Sequence, residues 1–286
     1  MSLSNKLCFI LDVGWYAHRA WGVNFKQFIT DPDSKRHHNF ALSSLQKVLN
    51  ALSEEWQKAF DDGIECEVYG ALDSGTTWRH LLYPRYKAHR RVGGEWEKKF
   101  IRETAPQAME AAGCVLKRAD GYEADDVMAT LAKDAEARGF EVRLMTADFD
   151  LGQIVNENIS MVVPTKESYI PVAKREIGVR SGYEKLDSEG IKRRKGVPPE
   201  KLAFFKTIAG DSSDGFIGIR GLGPAAAKRI CSEYSSVGEI YSNLAKFTKK
   251  ERALIEQARD SEYPPELFEQ LARLDTDIAL VGASGV

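Results

Sequence analysis

Cysteine is scarce in this 286-residue chain, and Cys8, Cys66, Cys114 and Cys231 stand far apart with no C-x-x-C and no zinc-type spacing. That excludes a disulfide scaffold and a zinc ribbon. The five histidines, His18, His37, His38, His80 and His89, are scattered without ligand spacing, which argues against zinc chemistry as well. No run of about 18 apolar residues and no signal-peptide core appears, so neither a membrane span nor secretion is expected and a reduced cytoplasmic setting is. Internal repeats and low-complexity segments are missing too. The formal net charge of −2 gives no sign of a nucleic-acid partner when read alone.

What is present is an alternation of two periodicities. Lys6 to Val13 reads as a buried strand, and strand patterns recur at Glu65–Leu72, Cys114–Arg118, Glu141–Thr146 and Ile159–Val163, with one more at Ser168–Val172. Between them, Phe40–Phe60, Glu95–Ala112 and Glu123–Arg138 carry apolar residues at helical spacing. The expected fold class is therefore α/β, a mainly parallel sheet covered by helices on both faces, with its active site at the strands' C-terminal ends. From Asp187 the chain reads as short helices: Asp187–Lys195, Pro199–Ala209, Ala225–Glu233, Val237–Leu244, Lys249–Arg259 and Pro265–Arg273. Residues 1–185 and 186–286 are expected to be a sheet domain and a helical region packed as one unit, and the tail Gly282–Val286 is expected to fray.

Carboxylates mark the strand ends. Asp12 closes the first strand, Asp73 the second, and Asp148 and Asp150 follow the fourth, so separate strands deliver acids to one sheet edge. An Asp after a strand is commonly just the cap of the next helix, but several such ends together point further. Glu123-Ala124-Asp125-Asp126 opens a helix, where acids also favour the macrodipole; Glu123 and Asp126 share a face and Asp125 points elsewhere. Asp211 and Asp214 repeat the i, i+3 relation and run straight into the glycine-punctuated Gly218-Ile219-Arg220-Gly221-Leu222-Gly223. Such a turn between helices offers backbone N–H groups to a phosphate. Nine clustered carboxylates would repel one another without cations, and all-oxygen ligation favours Mg²⁺ or Mn²⁺. Two such ions roughly 4 Å apart can activate water and stabilise the leaving oxygen of a phosphodiester. Setting the nine aside turns 40 basic against 42 acidic residues into a positive excess suited to DNA.

Basic residues crowd Arg79 to Arg102, where only Glu95 and Glu97 oppose them. Lys98, Lys99 and Arg102 fit a solvated helix face, but Tyr86-Lys87-Ala88-His89-Arg90 precedes Gly93-Gly94 and need not be helical. Cations there can neutralise charge on a phosphoryl group, and Tyr83 or Tyr86 can stack on an unpaired base. Lys192-Arg193-Arg194-Lys195 is a second basic run, facing phosphate or merely solvent.

The order of these motifs resembles the 5′ nuclease family: phage flap endonucleases and exonucleases, and the 5′ nuclease domain of bacterial DNA polymerase I. The resemblance rests on I-L-D-V-G (10 to 14), L-D-S-G-T-T-W-R-H-L-L-Y-P-R-Y-K-A-H-R (72 to 90), G-Y-E-A-D-D (121 to 126), T-A-D-F-D-L-G-Q-I-V (146 to 155), G-V-P-P-E-K-L (196 to 202) and A-G-D-S-S-D-G-F-I-G-I-R-G-L-G (209 to 223). It implies a PIN-like catalytic sheet and a helix-three-turn-helix, that is, a helix-hairpin-helix-like duplex-binding element. It also implies two divalent-metal centres, Mg²⁺ or Mn²⁺, the first served by Asp12, Asp73, Glu123, Asp125 and Asp126 and the second by Asp148, Asp150, Asp211 and Asp214. Lys87 and Arg90 would then contact the scissile phosphate, Tyr86 would stack at the displaced 5′ end, and Gly218, Gly221 and Gly223 would hold the duplex with K⁺ at the turn.

The chain departs from that pattern in places. Gly215 replaces a common Asn, and Pro224-Ala225 stands where an acid and a Lys are usual, which leaves one phosphate contact to Lys228 or Arg229. The loop after Asp73 is a residue shorter than usual, and the Arg90-to-Glu123 stretch is short for a closed arch over single strands. Neither a polymerase domain nor a sliding-clamp peptide follows, so a stand-alone phage-type enzyme is expected. The implied activity is structure-dependent cleavage of branched, nicked or 5′-ended duplex DNA by a monomer in a bacterial or phage-infected cell, with no membrane and no small-molecule cofactor. A non-catalytic DNA-junction binder and a PIN-class RNA nuclease are the competing expectations.

Overall fold

The apolar run Leu7–Leu11 needs cover on both faces, and it gets it. Leu7, Phe9 and Leu11 enter one core, Cys8 and Ile10 the other, as the two-residue period of a strand requires. The computed structural model of the chain describes residues 5–25, 31, 33–164 and 182–283. Its sheet side runs β1 (Lys6–Asp12), α1 (Val13–Phe25), α2 (Lys35–Asp61), β2 (Glu65–Ala71), α3 (Trp78–Leu82), α4 (Glu95–Lys99), α5 (Ala105–Ala111), β3 (Val115–Arg118), α6 (Ala124–Ala137), β4 (Glu141–Met145), β5 (Ile159–Pro164) and β6 (Tyr183–Leu186). The helical side runs α7 (Ser188–Lys195), α8 (Leu202–Ala209), α9 (Pro224–Glu233), α10 (Val237–Ser242), α11 (Lys249–Arg259) and α12 (Pro265–Ala272), and then β7 (Val281–Gly282).

Strand order is β6-β5-β4-β1-β2-β3-β7. The five inner strands are parallel, and only the edge strands β6 and β7 run antiparallel to their neighbours. The chain winds outward from β1 through β2 to β3, then returns over α6 to β4 on the other side of β1. This reversal between β1 and β4 leaves a crevice at their carboxyl ends, the place where open α/β sheets bind ligands. Helices α1, α2 and α5 cover one face; α6 and the helical side share the second core, in which Ile10, Met128, Leu144, Ile208 and Ile230 all lie.

Several expectations are adjusted. The helix expected over Glu95–Ala112 is a continuous helical path with a π turn at Phe100–Thr104. Pro106 follows that turn and has no N–H for the ordinary i→i−4 bond. Helix α1 is an addition, as are α3 and β6. The tail expected to fray is held at its start: Val281 and Gly282 pair with Arg118 and Lys117, and the Ala283 N–H donates to the Leu116 carbonyl at 3.2 Å. The strand expected at Ser168–Val172 lies outside the described residues, as does the rest of the tail.

Candidate active site

Asp12, Asp73 and Asp148 each accept a backbone N–H, so the capping reading holds for these three strand-end acids. Asp12 accepts the Trp15 N–H at 2.8 Å on Oδ1, starting α1, and the Thr146 hydroxyl at 2.9 Å on Oδ2. Asp73 accepts the Ala124 N–H at 2.9 Å, joining the end of β2 to the first turn of α6. Asp148 accepts the Asp150 N–H at 3.0 Å, and its own N–H donates to the Thr146 hydroxyl at 3.0 Å. Asp125, Asp148 and Asp150 bring one carboxylate oxygen each within 4.8 Å of one another, a spacing that one ion can bridge.

The electrostatics arise from that crowding. Burial pushes the Asp12 carboxyl up to about 7, with the charges of Asp73 and Asp148 adding to it against the bond from Trp15. Burial, then Asp148, Asp12 and Asp150, drive Asp125 well above the usual carboxylate range. Among the described residues none of Asp12, Asp73, Asp125 and Asp148 is in an ion pair, and the charge of Lys87, which acts to lower Asp125, is outweighed. A hard cation is the partner such a group lacks.

The second group is arranged differently. Asp150, Asp211 and Asp214 converge on the ammonium of Lys206, at 2.5, 3.2 and 2.5 Å. Lys206 is buried on α8 and its ammonium lies 5.2 Å over the Phe216 ring. Burial disfavours its charge, but Asp150, Asp214 and Asp211 outweigh that and hold it protonated. Asp150, also facing the first group, is raised by burial to about 6 despite Lys206. Asp211 sits below the usual range because Lys206 and Ser213 more than offset its burial. Sequence reading missed Lys206; the available signal was a lone cation in the apolar helix L-A-F-F-K-T-I-A, five residues before Asp211.

The Glu123–Asp126 opening divides by role. Asp126 is fully buried and bound through both oxygens by Arg79, at 2.5 and 2.8 Å, and Oδ1 also accepts the Asp275 N–H at 3.0 Å. Expected as a metal ligand, it is instead the anion of a buried pair. Arg79 donates onward to the Leu271 and Arg273 carbonyls at 2.9 and 2.8 Å, tying the end of α12 to α6. Glu123 accepts Lys87 Nζ at 2.7 Å and the Tyr86 hydroxyl at 2.6 Å. Burial works against its charge, yet Lys87, Tyr86 and Arg79 bring it below the usual range.

Tyr86, expected to stack on a displaced base, is instead buried at 3 % exposure, with its ring on Phe216 and its hydroxyl committed to Glu123. An aromatic followed by Lys and Arg reads from sequence as a base platform; here Tyr83, Phe216 and Phe268 make it core. Lys87 is the single non-glycine residue with positive φ among the described residues, at +52°, a strained setting that its surroundings must enforce. Its N–H donates to the Asp214 carbonyl at 3.1 Å, and its ammonium lies 3.8 Å from Asp214 Oδ1. Arg90, exposed, reaches the same oxygen at 3.2 Å. Gly215 explains itself locally: at φ +80° a Cβ there would meet the Arg85 carbonyl at 2.8 Å.

The glycine turn joins α8 to α9. A Cβ on Gly218 would sit 2.4 Å from the Gly210 nitrogen, so only glycine lets the Ile219 N–H reach the Ile208 carbonyl at 2.9 Å. Gly221 and Gly223 are exposed at the start of α9. Lys228 is exposed with its ammonium against Gly196 at the end of α7, and Arg229 is paired with Glu251 at 2.5 Å. Lys195 of the second basic run reaches a cleft of about 300 Å³ that Trp15, Asp148, Asp150, Asp211 and Asp214 also line. Among the described residues no helix is long and apolar enough to cross a membrane.

Residues 7–184 match the family model described as 5′-3′ exonuclease, N-terminal resolvase-like domain, and residues 197–283 the one described as 5′-3′ exonuclease, C-terminal SAM fold. A thermostable DNA polymerase I of Thermus filiformis is 33% identical over 207 residues, covering 71% of this chain and 22% of that protein. DNA polymerase I of Synechocystis is 30% identical over 208 residues, covering 71% of this chain and 20% of that protein. The chain thus spans about a fifth of the length of these curated relatives. Among solved structures, bacteriophage T5 flap endonuclease in complex with DNA and metal ions superposes with a TM-score of 0.63 at 19% identity, over 94% of this chain and 89% of that one. T5 5′-exonuclease with bound zinc gives 0.64 at 18%, over 93% and 88%. With both family models matched in order across nearly its whole length, the chain belongs to the 5′-3′ exonuclease family.

Proposed function

We propose that this protein is a divalent-metal-dependent, structure-dependent DNA 5′ nuclease. It hydrolyses phosphodiesters near single-strand/duplex junctions of flapped, nicked or 5′-ended DNA, leaving a 5′-phosphate and a 3′-hydroxyl. The observation that carries this reading is the carboxylate crowd at the β1/β4 crevice, Asp12, Asp125, Asp148 and Asp150, in a cleft that Asp211 and Asp214 also line. Its donor set fits Mg²⁺ or Mn²⁺: every ligand atom is a carboxylate oxygen, and burial and mutual repulsion at Asp12 and Asp125 exceed what the protein's own charges offset. Asp12, Asp73 and Asp125 would hold one ion, joined by Asp148, which was expected at the second centre but lies against Asp125, while Glu123, expected at the first, is committed to Tyr86 and Lys87; Asp150, Asp211 and Asp214 would hold the second ion. Bound there, such ions lower the pKa of water and neutralise phosphate charge.

The chain's own residues do the rest. Lys87, oriented by Glu123, and Arg90, beside Asp214, supply positive charge to the non-bridging phosphate oxygens, and Tyr86 in turn orients Glu123. The turn at Gly218, Gly221 and Gly223 positions duplex through backbone groups without reading sequence, with Lys228 and the Lys192–Lys195 run adding phosphate contacts and K⁺ binding at the turn. Arg229, held by Glu251, contributes once that pair opens. All the carboxylates of both groups come from one chain, which supports a monomer, and none of this chemistry calls for a small-molecule cofactor. The polymerase I relatives support a bacterial or phage-infected cytoplasmic setting. The test is a 5′-flap substrate with Mg²⁺: wild type cleaves at the junction and an Asp148→Asn, Asp150→Asn double variant does not. Complete conversion by the double variant, or binding of the flap without product at any metal level, contradicts the assignment. The latter result would favour a DNA-junction binder, and a preference for an RNA 5′ end over a DNA one would favour an RNA nuclease.

A further inference from the structure

Three carboxylate oxygens point at one place, and that place is filled by a side chain of the protein itself. Asp150 Oδ2, Asp211 Oδ2 and Asp214 Oδ2 lie 2.5, 3.2 and 2.5 Å from Lys206 Nζ. The stem of Lys206 is fixed on α8 between residues committed to the core, Phe204 and Ile208, and the ammonium is held from another side by the Phe216 ring at 5.2 Å. A magnesium-sized ion needs its oxygens at about 2.0–2.1 Å, so it cannot share this position with the ammonium. Asp125, Asp148 and Asp150, in contrast, bring one oxygen each within 4.8 Å of one another, and among the described residues neither Asp125 nor Asp148 is in an ion pair; burial and the neighbouring carboxylates outweigh the pull of Lys87 on Asp125.

We infer that Lys206 is the resident counter-cation of the second carboxylate group: the DNA-free protein takes up one divalent ion, at the first group, and a second only when the Lys206 ammonium leaves Asp150, Asp211 and Asp214. The inference rests on the metal-dependent nuclease reading and adds an order of events to it. A phosphate backbone entering the crevice offers the ammonium another anion, which couples occupancy of the second position to the presence of substrate.

Mn²⁺ binding to the full DNA-free chain, counted by electron paramagnetic resonance of the unbound ion and by calorimetry, tests this. Wild type is expected to bind one ion, with any second at least about tenfold weaker, because the ammonium must be displaced first. Lys206→Met, which keeps the stem and removes the charge, is expected to bind two with comparable affinity, and Lys206→Arg to keep the wild-type pattern. A lysine with a merely structural role would lower the melting temperature of Lys206→Met and leave the ion count alone. Should Lys206→Met fail to fold without metal, Lys206→Gln, which still donates to the carboxylates, is counted instead. Two equal ions on wild type, or an unchanged count in the charge-removing variant, overturns the inference. Flap cleavage by wild type is scored separately, so two equal ions with cleavage sink this inference alone, whereas the one-ion pattern without cleavage supports it and removes the nuclease reading.

Discussion

Two groups of acids lie side by side at the carboxyl edge of this sheet, and they are in opposite electrostatic states. Asp12, Asp125 and Asp148 face one another with no ion-pair partner among the described residues, and burial and mutual repulsion raise Asp12 to about 7 and Asp125 well above its usual range. Asp211 and Asp214 share Lys206, Asp214 is also reached by Arg90, and Asp211 is held below its usual range. Asp150 belongs to both and is intermediate, near 6. A count of acids therefore does not define a metal centre. What defines it is which acids the fold leaves without a counter-charge; that deficit has to be met from outside the chain.

The largest effect that sharpens this contrast is on turnover. Asp125→Asn is expected to lower kcat on flap DNA by at least about a thousandfold, roughly 4 kcal/mol of transition-state stabilisation. The same change relieves repulsion in the metal-free protein, so its melting temperature in chelator is expected to rise. A fall in both readouts would mean that Asp125 is structural. Next comes Arg79→Met, which leaves Asp126 buried and unpaired and is expected to cost about 3–5 kcal/mol in denaturant unfolding. A loss under about 1 kcal/mol would return Asp126 to the candidate metal ligands.

Lys87 pairs with Glu123 and lies 3.8 Å from Asp214, and Lys87→Ala is expected to lower kcat by about a hundredfold, with Arg90→Ala losing less because its guanidinium is exposed. The reverse ranking would move the phosphate contact to Arg90.

The smallest effect is on pH dependence. A carboxyl with a raised folded-state pKa holds its proton more tightly in the folded chain, so its group favours folding at low pH and loses that contribution as pH rises from about 4 through about 7. Asp12, Asp150 and Asp125 all act in that direction, while the lowered Glu123 and Asp211 have completed their opposite contribution below about pH 5. In chelator the melting temperature is therefore expected to fall by a few degrees between about pH 5 and about pH 7.5, and Mg²⁺ is expected to raise it most at the upper end. A curve that does not respond to millimolar Mg²⁺ counts against the first group as a metal site.

Strand-end acids and strand periodicity made the sheet and most of its carboxylates legible, because a two-residue pattern ending in Asp reports both an element and its exit. Asp12 also conceals the helix after it: capping the Trp15 N–H, it starts α1 with no break in composition. Partners distant in sequence were not legible. Arg79 lies 47 residues from Asp126 and 192 from Leu271, and nothing in T-T-W-R-H distinguishes a buried pair from one more phosphate-facing cation. Tyr86 was misplaced for the same reason, since Phe216 and Phe268, which bury it, come from the other end of the chain.

Product mapping is the decisive experiment for a metal-dependent junction nuclease. A 3′-labelled 5′-flap duplex, a nicked duplex and a blunt duplex are incubated with the wild-type chain, with Mg²⁺ and with chelator. Expected are Mg²⁺-dependent cuts at the single-strand/duplex junction of the flap and stepwise loss from the 5′ end at the nick, each leaving a 5′-phosphate, and no product in chelator. Cleavage that persists in chelator, or cuts scattered along the duplex without regard to the junction, would contradict it.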